Sequence, residues 1–278
     1  MNNIALLLTC FNRKQITIRC LQQLYFLKQD IDVYLVDDQS TDGTFLAVSN
    51  QFPQVNIIQG TGNLFWNRGM HLAWEKATQK KYDFFLWLND DVILYENCFT
   101  ELLDCSKLAS NKAIISGIIE SQDKTNILYG GTDKQGNLLG PNGNMQKITN
   151  MNGNVVLVPK SVFEVLGNLD ATFHHDLGDV DYGLRAQEKG IPVYTTRVSI
   201  ASGEKNNFCR VRLWNSTLLK RFQTLYSPLG SPPSINFYFR RKHFGFFNAM
   251  NYYIYLHIIN VIPDWMIKFC FGSKYIVK

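Results

Sequence analysis

Short apolar runs alternate with amphipathic segments over the first 120 residues. The runs are rich in Leu, Ile and Val without polar alternation, which is typical of strands buried on both faces of a helix-covered parallel sheet. The pattern therefore predicts repeated βα units. The predicted strands are Ile4–Phe11, Val33–Asp37, Val55–Gln59, Phe84–Leu88 and Ala113–Ile119, and the predicted helices are Gln15–Lys28, Thr41–Phe52, Asn67–Thr78 and Asn97–Ser110.

The pattern changes after residue 120. Glycine and asparagine clusters between residues 121 and 154 predict hairpins and an exposed loop. Apolar runs and helical spacing then resume, and a turn or linker is predicted at Pro228–Pro233. Strands are predicted at Val155–Val158 and Pro192–Val198, and helices near Ser161–Leu166, at Val180–Lys189 and across Asn206–Tyr226.

Charge divides the 278 residues unevenly. Residues 205–278 hold 11 Lys and Arg against one acidic residue, Asp264, whereas residues 1–204 hold 17 against 22. The same final segment carries 17 of the 37 aromatic residues. This asymmetry predicts an acidic catalytic domain at 1–204. A basic, aromatic helical appendage at 205–278 then faces an anionic surface or packs on the core.

Cysteine usage and apolar run length indicate the compartment. The six cysteines form no C-x-x-C pair and suit reduced thiols in a chain too large to need disulfides. The apolar run at the start is too short for a signal peptide. The longest apolar stretch of the appendage, Tyr252–Ile262, falls well short of the roughly 20 residues of a membrane span. We therefore expect a cytoplasmic protein that lies on a membrane without crossing it.

The first cluster of candidate functional residues is Val36–Thr44, at the end of a predicted strand. Ligands of such sheets gather beyond the carboxyl ends of the strands. Asp38 is suited to accept a hydrogen bond from the imide N–H of uracil or thymine, with Thr9 and Phe11 on the neighbouring strand holding the base. The alternative is a plain βα turn whose side chains cap the next helix.

The second cluster, Asn89–Asp90–Asp91, also follows a predicted strand. Adjacent carboxylates repel each other unless a cation lies between them. Hard oxygen ligands suit Mg²⁺ or Mn²⁺, which also bind diphosphate. A solvated turn is the competing interpretation.

The third cluster, Phe173–Arg185, ends in a predicted helix. Asp181 and Arg185 stand four residues apart and are expected to form a structural ion pair. Asp179, at the helix start, suits either a helix cap or a general base. Nothing in the cluster itself separates the two roles.

Several enzyme classes lack their motifs in this chain. The segment Gly60–Phe65 lacks the third glycine of a dinucleotide-binding loop, and no phosphate-binding P-loop or serine-hydrolase elbow occurs.

Taken in order, the clusters resemble the signature of glycosyltransferase family 2 over residues 4–200. The segments are Thr9–Arg13, Val36–Thr44, Asn89–Asp91 and Gly178–Asp181, followed by Arg185 and Gly190. Gly62–Trp66 and Ser227–His243 further resemble the rhamnosyltransferase-like branch that builds bacterial surface polysaccharides, such as O-antigen and capsule.

The resemblance implies an α/β GT-A fold, with a mostly parallel sheet flanked by helices. Within the domain at 1–204, it implies a nucleotide-binding half at 1–120 and an acceptor half at 121–204. It also implies a metal-dependent, inverting transfer of one sugar from a nucleoside diphosphate donor. By position, Thr9, Phe11 and Asp38 bind the base, Asp91 ligates Mn²⁺ or Mg²⁺, and Asp179 is the catalytic base. The further residues expected to bind the nucleotide sugar are Arg13, Asn63, Arg68, Asn89 and Asp90.

Three positions depart from the family pattern. Asn89 replaces the first carboxylate of the commonest metal motif, and Gly178 stands where many members have Glu. The histidine that often follows the last core strand is absent from residues 199–203. Arg240 and Arg241 are the candidates to contact the diphosphate in its place.

The expected partners follow from these assignments. They are a nucleoside diphosphate sugar of the UDP or dTDP type, a lipid-linked saccharide acceptor, and the cytoplasmic face of the inner membrane, on which the protein is peripheral. Nucleic acid is not expected, because the chain outside the appendage is net acidic. A homodimer through the appendage is left open.

Two alternatives to a glycosyltransferase are considered. A sugar nucleotidylyltransferase usually has a glycine-rich, basic loop after its first strand, whereas Thr9–Arg13 has neither glycine nor lysine. The second alternative is a non-catalytic protein of the same fold that binds nucleotide sugars or partners.

Overall fold

We describe a computed structural model of the chain, which covers residues 3–28, 30–205 and 210–271. The strands are β1 (Ile4–Cys10), β2 (Asp32–Asp37), β3 (Asn56–Gln59), β4 (Phe84–Leu88), β5 (Ile93–Leu94), β6 (Ile114–Ser121), β7 (Ile127–Tyr129), β8 (Gly131–Thr132), β9 (Asn150–Met151), β10 (Val155–Pro159) and β11 (Val193–Gly203). The helices are α1 (Lys14–Leu27), α2 (Thr44–Gln51), α3 (Phe65–Ala77), α4 (Cys98–Leu108), α5 (Lys160–Leu166), α6 (Gly178–Glu188), α7 (Leu218–Leu225), α8 (Pro233–Phe244), α9 (Phe246–Val261) and α10 (Asp264–Phe271).

The central sheet runs in the order β3-β2-β1-β4-β10-β6-β11-β5, and β7 pairs with β6. The strands β3, β2, β1 and β4 are parallel, and β11 is parallel to β6. The strand β10 is antiparallel to both β4 and β6, and β5 and β7 are antiparallel edges. The predicted α/β fold with a central sheet flanked by helices is confirmed, and the sheet itself is mixed, because antiparallel strands join the parallel ones. The antiparallel β10 was not predicted, because an apolar run gives no sign of its direction.

Apolar residues cover both faces of this sheet. Successive residues of β1 alternate between two buried clusters, with Leu6 and Leu8 in one and Ala5 and Leu7 in the other. The first cluster includes residues of α1, α2 and α4, and the second includes Trp74 of α3 and residues of α6. Helices therefore bury both sides of the strands, which explains why these strands lack polar alternation.

The predictions for residues 121–154 and 206–226 have different outcomes. A hairpin was predicted within residues 121–154, and β6 and β7 form one around residues 122–126. The strands β8 and β9 are also antiparallel, but a longer segment, residues 133–149, connects them. The predicted helix over 206–226 is wrong for residues 210–217, which are not helical, and residues 206–209 lie outside the described part of the chain. The helix α7 begins only after Thr217, whose hydroxyl accepts a hydrogen bond from the backbone N–H of Lys220. Such capping residues favour helix starts over helix interiors.

The chain forms two compact units. Unit 1 comprises residues 1–171 and 178–205 and contains the sheet, and unit 2 comprises residues 172–177 and 206–278 and contains α7–α10. In the described part of the chain, no helix combines the length and the apolar character that a bilayer span requires.

Candidate active site

The loops that follow β1, β2 and β4 meet at one edge of the sheet in unit 1. These three strands are parallel neighbours, so their carboxyl ends lie side by side. The backbone N–H of Asn12 donates to Ser40 Oγ at 2.8 Å, and Arg13 reaches Asp90 at 2.8 Å. The first loop therefore contacts both of the others, as expected for a ligand site of a parallel sheet.

Asp38 is buried and organises the loop that follows β3. Its Oδ1 accepts the backbone N–H of Gly62 at 2.7 Å. Its Oδ2 accepts those of Leu64 and Phe65 at 2.7 and 3.2 Å. This structural role was not foreseen in the sequence, where Asp38 was assigned to a base. Base binding by Asp38 stays a prediction.

The other residues expected at the base lie around the same loop ends. Thr9 is partly buried beneath α3, and a Cβ atom on Gly69 would lie 2.2 Å from Thr9 Oγ1. This close approach explains the glycine in that helix. Phe11 and Asn63 are both exposed. Their contacts with a nucleotide stay predictions.

The two carboxylates after β4 share one arginine. Arg13 Nη1 contacts Asp90 Oδ1 and Arg13 Nη2 contacts Asp91 Oδ2, each at 2.8 Å. Thr17 Oγ donates to the other oxygen of Asp90 at 2.8 Å. Asp90 is buried, and burial raises the pKa of its carboxyl while Arg13 opposes that rise. Asp91 is half exposed, so it is the carboxylate that a ligand reaches.

This pair fits a divalent cation of the Mg²⁺ or Mn²⁺ type. Such ions bind one or two carboxylates and complete their shell with water and substrate phosphate oxygens. The described residues contain no group of three or more His, Cys, Asp or Glu that could hold a metal by itself. The donor set therefore suits an ion that arrives together with a diphosphate.

Asn89 links the end of β4 to two residues that the clusters did not identify. Its Oδ1 accepts Trp66 Nε1 at 2.6 Å, and its Nδ2 donates to Asn154 Oδ1. A carboxylate could accept the first bond but could not donate the second. These contacts explain the asparagine at a position where the family pattern has an acid. Contact of Asn89 with the nucleotide sugar stays a prediction.

Asp179 is held beside this group. Its Oδ2 accepts the backbone N–H of Gly153 at 2.8 Å, and its Oδ1 accepts that of Val180 at 2.9 Å. A Cβ atom on Gly153 would lie 2.5 Å from the Trp66 ring and 3.2 Å from Asp179 Cβ. Burial raises the pKa of Asp179, and the two N–H groups oppose that rise. Asp179 is therefore fixed near Asn89 through Trp66 and Gly153, with a raised proton affinity.

The sequence did not predict that Trp66, Gly153 and Asn154 belong to the site. Trp66 appeared only as part of a segment with family resemblance. Asn154 precedes β10, and its position beside Asn89 depends on the antiparallel pairing of β10 with β4, in which Val155 faces Leu88. The sequence carries no signal for that pairing.

The helix α3 fixes the segment that precedes α6. Asn67 Nδ2 donates to the carbonyl of Asp170 at 2.9 Å, and Arg68 Nε donates to that of Ala171 at 2.8 Å. A Cβ atom on Gly178 would lie 1.7 Å from Asn67 Oδ1. Any larger residue at position 178 would clash, which explains the departure from Glu. A contact of Arg68 with the nucleotide sugar stays a prediction.

The structure also shows where two other sets of predicted residues lie, the ion pair of α6 and the two arginines of α8. The predicted ion pair is confirmed, with Arg185 Nε 2.9 Å from Asp181 Oδ2. Arg240 and Arg241 lie on α8 in unit 2, where Arg240 stacks on the Tyr252 ring at 3.6 Å and Arg241 is exposed. Their contact with the diphosphate stays a prediction.

Comparison with known proteins identifies the family. Residues 6–167 match the family described as "Glycosyl transferase family 2". No curated protein is significantly similar in sequence. Among solved structures, the chain resembles a mannosyltransferase, PcManGT from Pyrobaculum calidifontis in complex with GDP-Man and Mn²⁺, with 13% identity and a TM-score of 0.54. The match covers 98% of this chain and 79% of that one. The GT-A fold is confirmed, and the chain belongs to glycosyl transferase family 2.

Proposed function

We propose that this protein transfers one sugar from a nucleoside diphosphate sugar to a hydroxyl group of a saccharide acceptor, with inversion at the anomeric carbon. The observation that carries the proposal is the contact chain that joins Asn89, Trp66, Gly153 and Asp179. It connects a carboxylate of raised proton affinity to Asn89, which directly precedes the pair Asp90–Asp91 in the chain. A base and a diphosphate site next to each other are what this reaction requires.

Asp179 acts as the base. Its carboxylate takes the proton of the acceptor hydroxyl as that oxygen attacks the anomeric carbon, and the bond from this carbon to the diphosphate breaks with its electrons on the leaving oxygen. The N–H groups of Gly153 and Val180 each occupy one oxygen of Asp179, which fixes the direction of the remaining lone pairs. A single displacement inverts the centre, so no enzyme nucleophile is required.

Asp91 and Asp90 organise the diphosphate end of the site. Asp91 holds Mn²⁺ or Mg²⁺, and Asp90 fixes Arg13 through a buried contact. When bound, the cation offsets the charge that develops on the departing diphosphate. The mannosyltransferase of similar fold was solved with GDP-Man and Mn²⁺, which supports this assignment. We further propose a UDP or dTDP donor, bound through Thr9, Phe11 and Asp38.

The proposal is tested with the full chain and a panel of UDP-, dTDP- and GDP-sugars. We expect Mn²⁺ to produce slow release of the nucleoside diphosphate from one donor, because water can replace the acceptor in the site. EDTA should stop the release and added Mn²⁺ should restore it. If the protein binds nucleotide but hydrolyses no donor in the panel, it is a non-catalytic member of the family.

We further propose that the acceptor is carried on a lipid and that unit 2 lies on an anionic bilayer. Both parts of this proposal, the lipid-linked acceptor and the contact with the bilayer, fit the synthesis of bacterial surface polysaccharide at the cytoplasmic face of the inner membrane. Support comes from one face of α9, on which Phe247, Ile254, Ile258 and Val261 recur at helical spacing and are all exposed. The opposite face of α9 is buried through residues that include Leu256.

The charges of unit 2 favour anionic lipid as the occupant of this face. Its two acidic residues are both engaged by arginine, since Asp176 contacts Arg210 at 2.8 Å and Asp264 contacts Arg221 at 2.8 Å and also Arg212. The described part of this unit also contains the cations Lys220, Arg240, Arg241, Lys242 and Lys268, so the unit is net positive. A second copy would bring like charge against like charge, whereas anionic headgroups attract these cations.

Vesicle binding tests the bilayer proposal. We expect the protein to sediment with vesicles of equal parts phosphatidylcholine and phosphatidylglycerol, and less with phosphatidylcholine alone. The double variant Phe247→Glu/Ile258→Glu should lose about tenfold or more in binding, because inserted apolar area is replaced by charge. Phe26→Glu is the matched control, since Phe26 is 80% exposed in unit 1 and Phe247 is 83% exposed. Equal binding by both variants, or a change in oligomeric state instead, would contradict the proposal.

A further inference from the structure

Arg13 balances the negative charge of two carboxylates in the candidate active site. Its two terminal nitrogens contact two different carboxylates, Asp90 and Asp91, each at 2.8 Å. The planar guanidinium can bridge two carboxylates in this way, whereas an ammonium group offers a single point of charge. The pair of like charges after β4 is therefore already neutralised in part by a residue of the chain.

The two contacts of Arg13 differ in their surroundings. Asp90 is buried and also receives the hydroxyl of Thr17 at 2.8 Å, so its contact with Arg13 is enclosed by protein. Asp91 is half exposed, so its contact with Arg13 is open to solvent and weak. If one of the two contacts breaks, it is the one with Asp91.

A divalent cation on Asp91 would meet this guanidinium directly. Both would contact the same carboxylate, and their like charges would repel at a distance where the interaction is strong. A diphosphate removes the conflict because its negative oxygens attract both cations. The metal and the diphosphate are thus expected to bind together, and Arg13 is expected to change partner when they do.

We propose that Arg13 exchanges partners during donor binding. Its Nη1 stays on Asp90, and its Nη2 leaves Asp91 for an oxygen of the diphosphate while the metal takes its place on Asp91. Arg13 thereby opposes binding of the metal alone and favours binding of the metal with the diphosphate. The inference rests on the proposed function in taking Asp91 as the metal ligand.

The exchange is tested by binding, without turnover. We expect calorimetry and the electron paramagnetic resonance of Mn²⁺ to show weak binding of Mn²⁺ alone to the full wild-type chain. Addition of UDP, dTDP or GDP should strengthen Mn²⁺ binding about tenfold or more. In Arg13→Gln, the affinity for Mn²⁺ alone should rise about tenfold, because a repelling charge is removed, and the gain from nucleotide should shrink by a similar factor.

Two controls keep the result specific. Arg19→Gln removes an exposed positive charge from the same helix, α1, and should behave as wild type. Arg13→Lys retains a charge on Asp90 but cannot bridge both carboxylates, so it should show intermediate Mn²⁺ binding. Because Arg13→Gln leaves Asp90 buried without its cation, the melting temperature of each variant is measured first, and the wild-type result stands even if that variant does not fold.

Each outcome separates the exchange from the proposed function. Wild-type binding of Mn²⁺ that is equally tight with and without nucleotide overturns the exchange. Mn²⁺ affinity in Arg13→Gln that equals that in Arg19→Gln overturns it as well. If donor hydrolysis persists in either case, the proposed function stands. Failure of Mn²⁺ to bind the wild-type chain with any of the nucleotides overturns both the exchange and the metal site.

Discussion

Replacement of Asp179 by asparagine is expected to lower kcat for sugar transfer between about a hundredfold and ten-thousandfold, the usual contribution of a general base. Asparagine cannot take the proton of the acceptor hydroxyl. Donor binding should persist, because the carboxylates after β4 are unchanged. The measurement compares kcat with the dissociation constant of the nucleoside diphosphate in both proteins.

The control for Asp179→Asn must separate chemistry from folding. Both oxygens of Asp179 accept backbone N–H groups, so the amide group of asparagine would face one of them and cost about 1 kcal/mol or more. The melting temperature is therefore recorded for each variant. Glu188→Gln, at the exposed end of the same helix α6, should leave transfer unchanged. Transfer by Asp179→Asn at the wild-type rate would remove Asp179 from the base role.

The pH dependence gives a second readout of the same residue. A general base works in its ionised form, so activity is lost as pH falls through its pKa. Because burial raises the pKa of Asp179, the acidic limb of kcat/KM should lie above the value of about 3.9 that is ordinary for aspartate. In Asp179→Asn, the residual activity should lack this limb. A wild-type profile that is flat down to the ordinary value would contradict the assignment.

Replacement of Asp91 by alanine is expected to lower kcat/KM by at least about a hundredfold, since a metal contributes several kcal/mol to a reaction of this type. The variant should also lose the gain in nucleotide binding that Mn²⁺ produces. The fold should survive, because Asp91 is half exposed and its contact with Arg13 is a surface ion pair worth at most about 1 kcal/mol.

Asp104→Ala is the matched control for Asp91→Ala. Asp104 is 55% exposed and contacts Arg197 at 3.6 Å, while Asp91 is 50% exposed and contacts Arg13. Both substitutions therefore remove one exposed, ion-paired carboxylate from unit 1. Equal activity and equal Mn²⁺ response in the two variants would show that Asp91 is not the metal ligand.

The strands of the sheet were predictable because strands buried on both faces consist mainly of apolar residues. The strand β4 was predicted with its observed bounds, and β1 differs by a single residue. Both consist almost entirely of apolar residues, which pack in clusters with helices on two faces. The helical prediction failed for residues 210–217, where Asn215, Ser216 and Thr217 precede α7. Such side chains compete with a helical backbone for its hydrogen bonds.

The site was predictable where it follows strands that are neighbours in a parallel sheet. Asp38 and Asp91 lie in the loops after β2 and β4, and the sequence predicted both at the edge where such sheets bind ligands. The roles of individual atoms were not predictable in this way. Asp38 shapes the loop after β3 with both oxygens, and Arg13 bridges two carboxylates, although neither contact has a local sequence signal.

The sequence by itself determined the family, the apolar strands and the order of the polar clusters, because each of these depends on residues that are close together along the chain. Only the tertiary structure decided which clusters meet. The antiparallel β10 brings Asn154 against Asn89, and the close approaches at Gly153 and Gly178 hold Asp179 and Asn67 in place. Contacts between such distant segments depend on the direction of a strand and on a glycine that lacks a Cβ atom. The pattern of apolar and polar residues along the chain indicates neither.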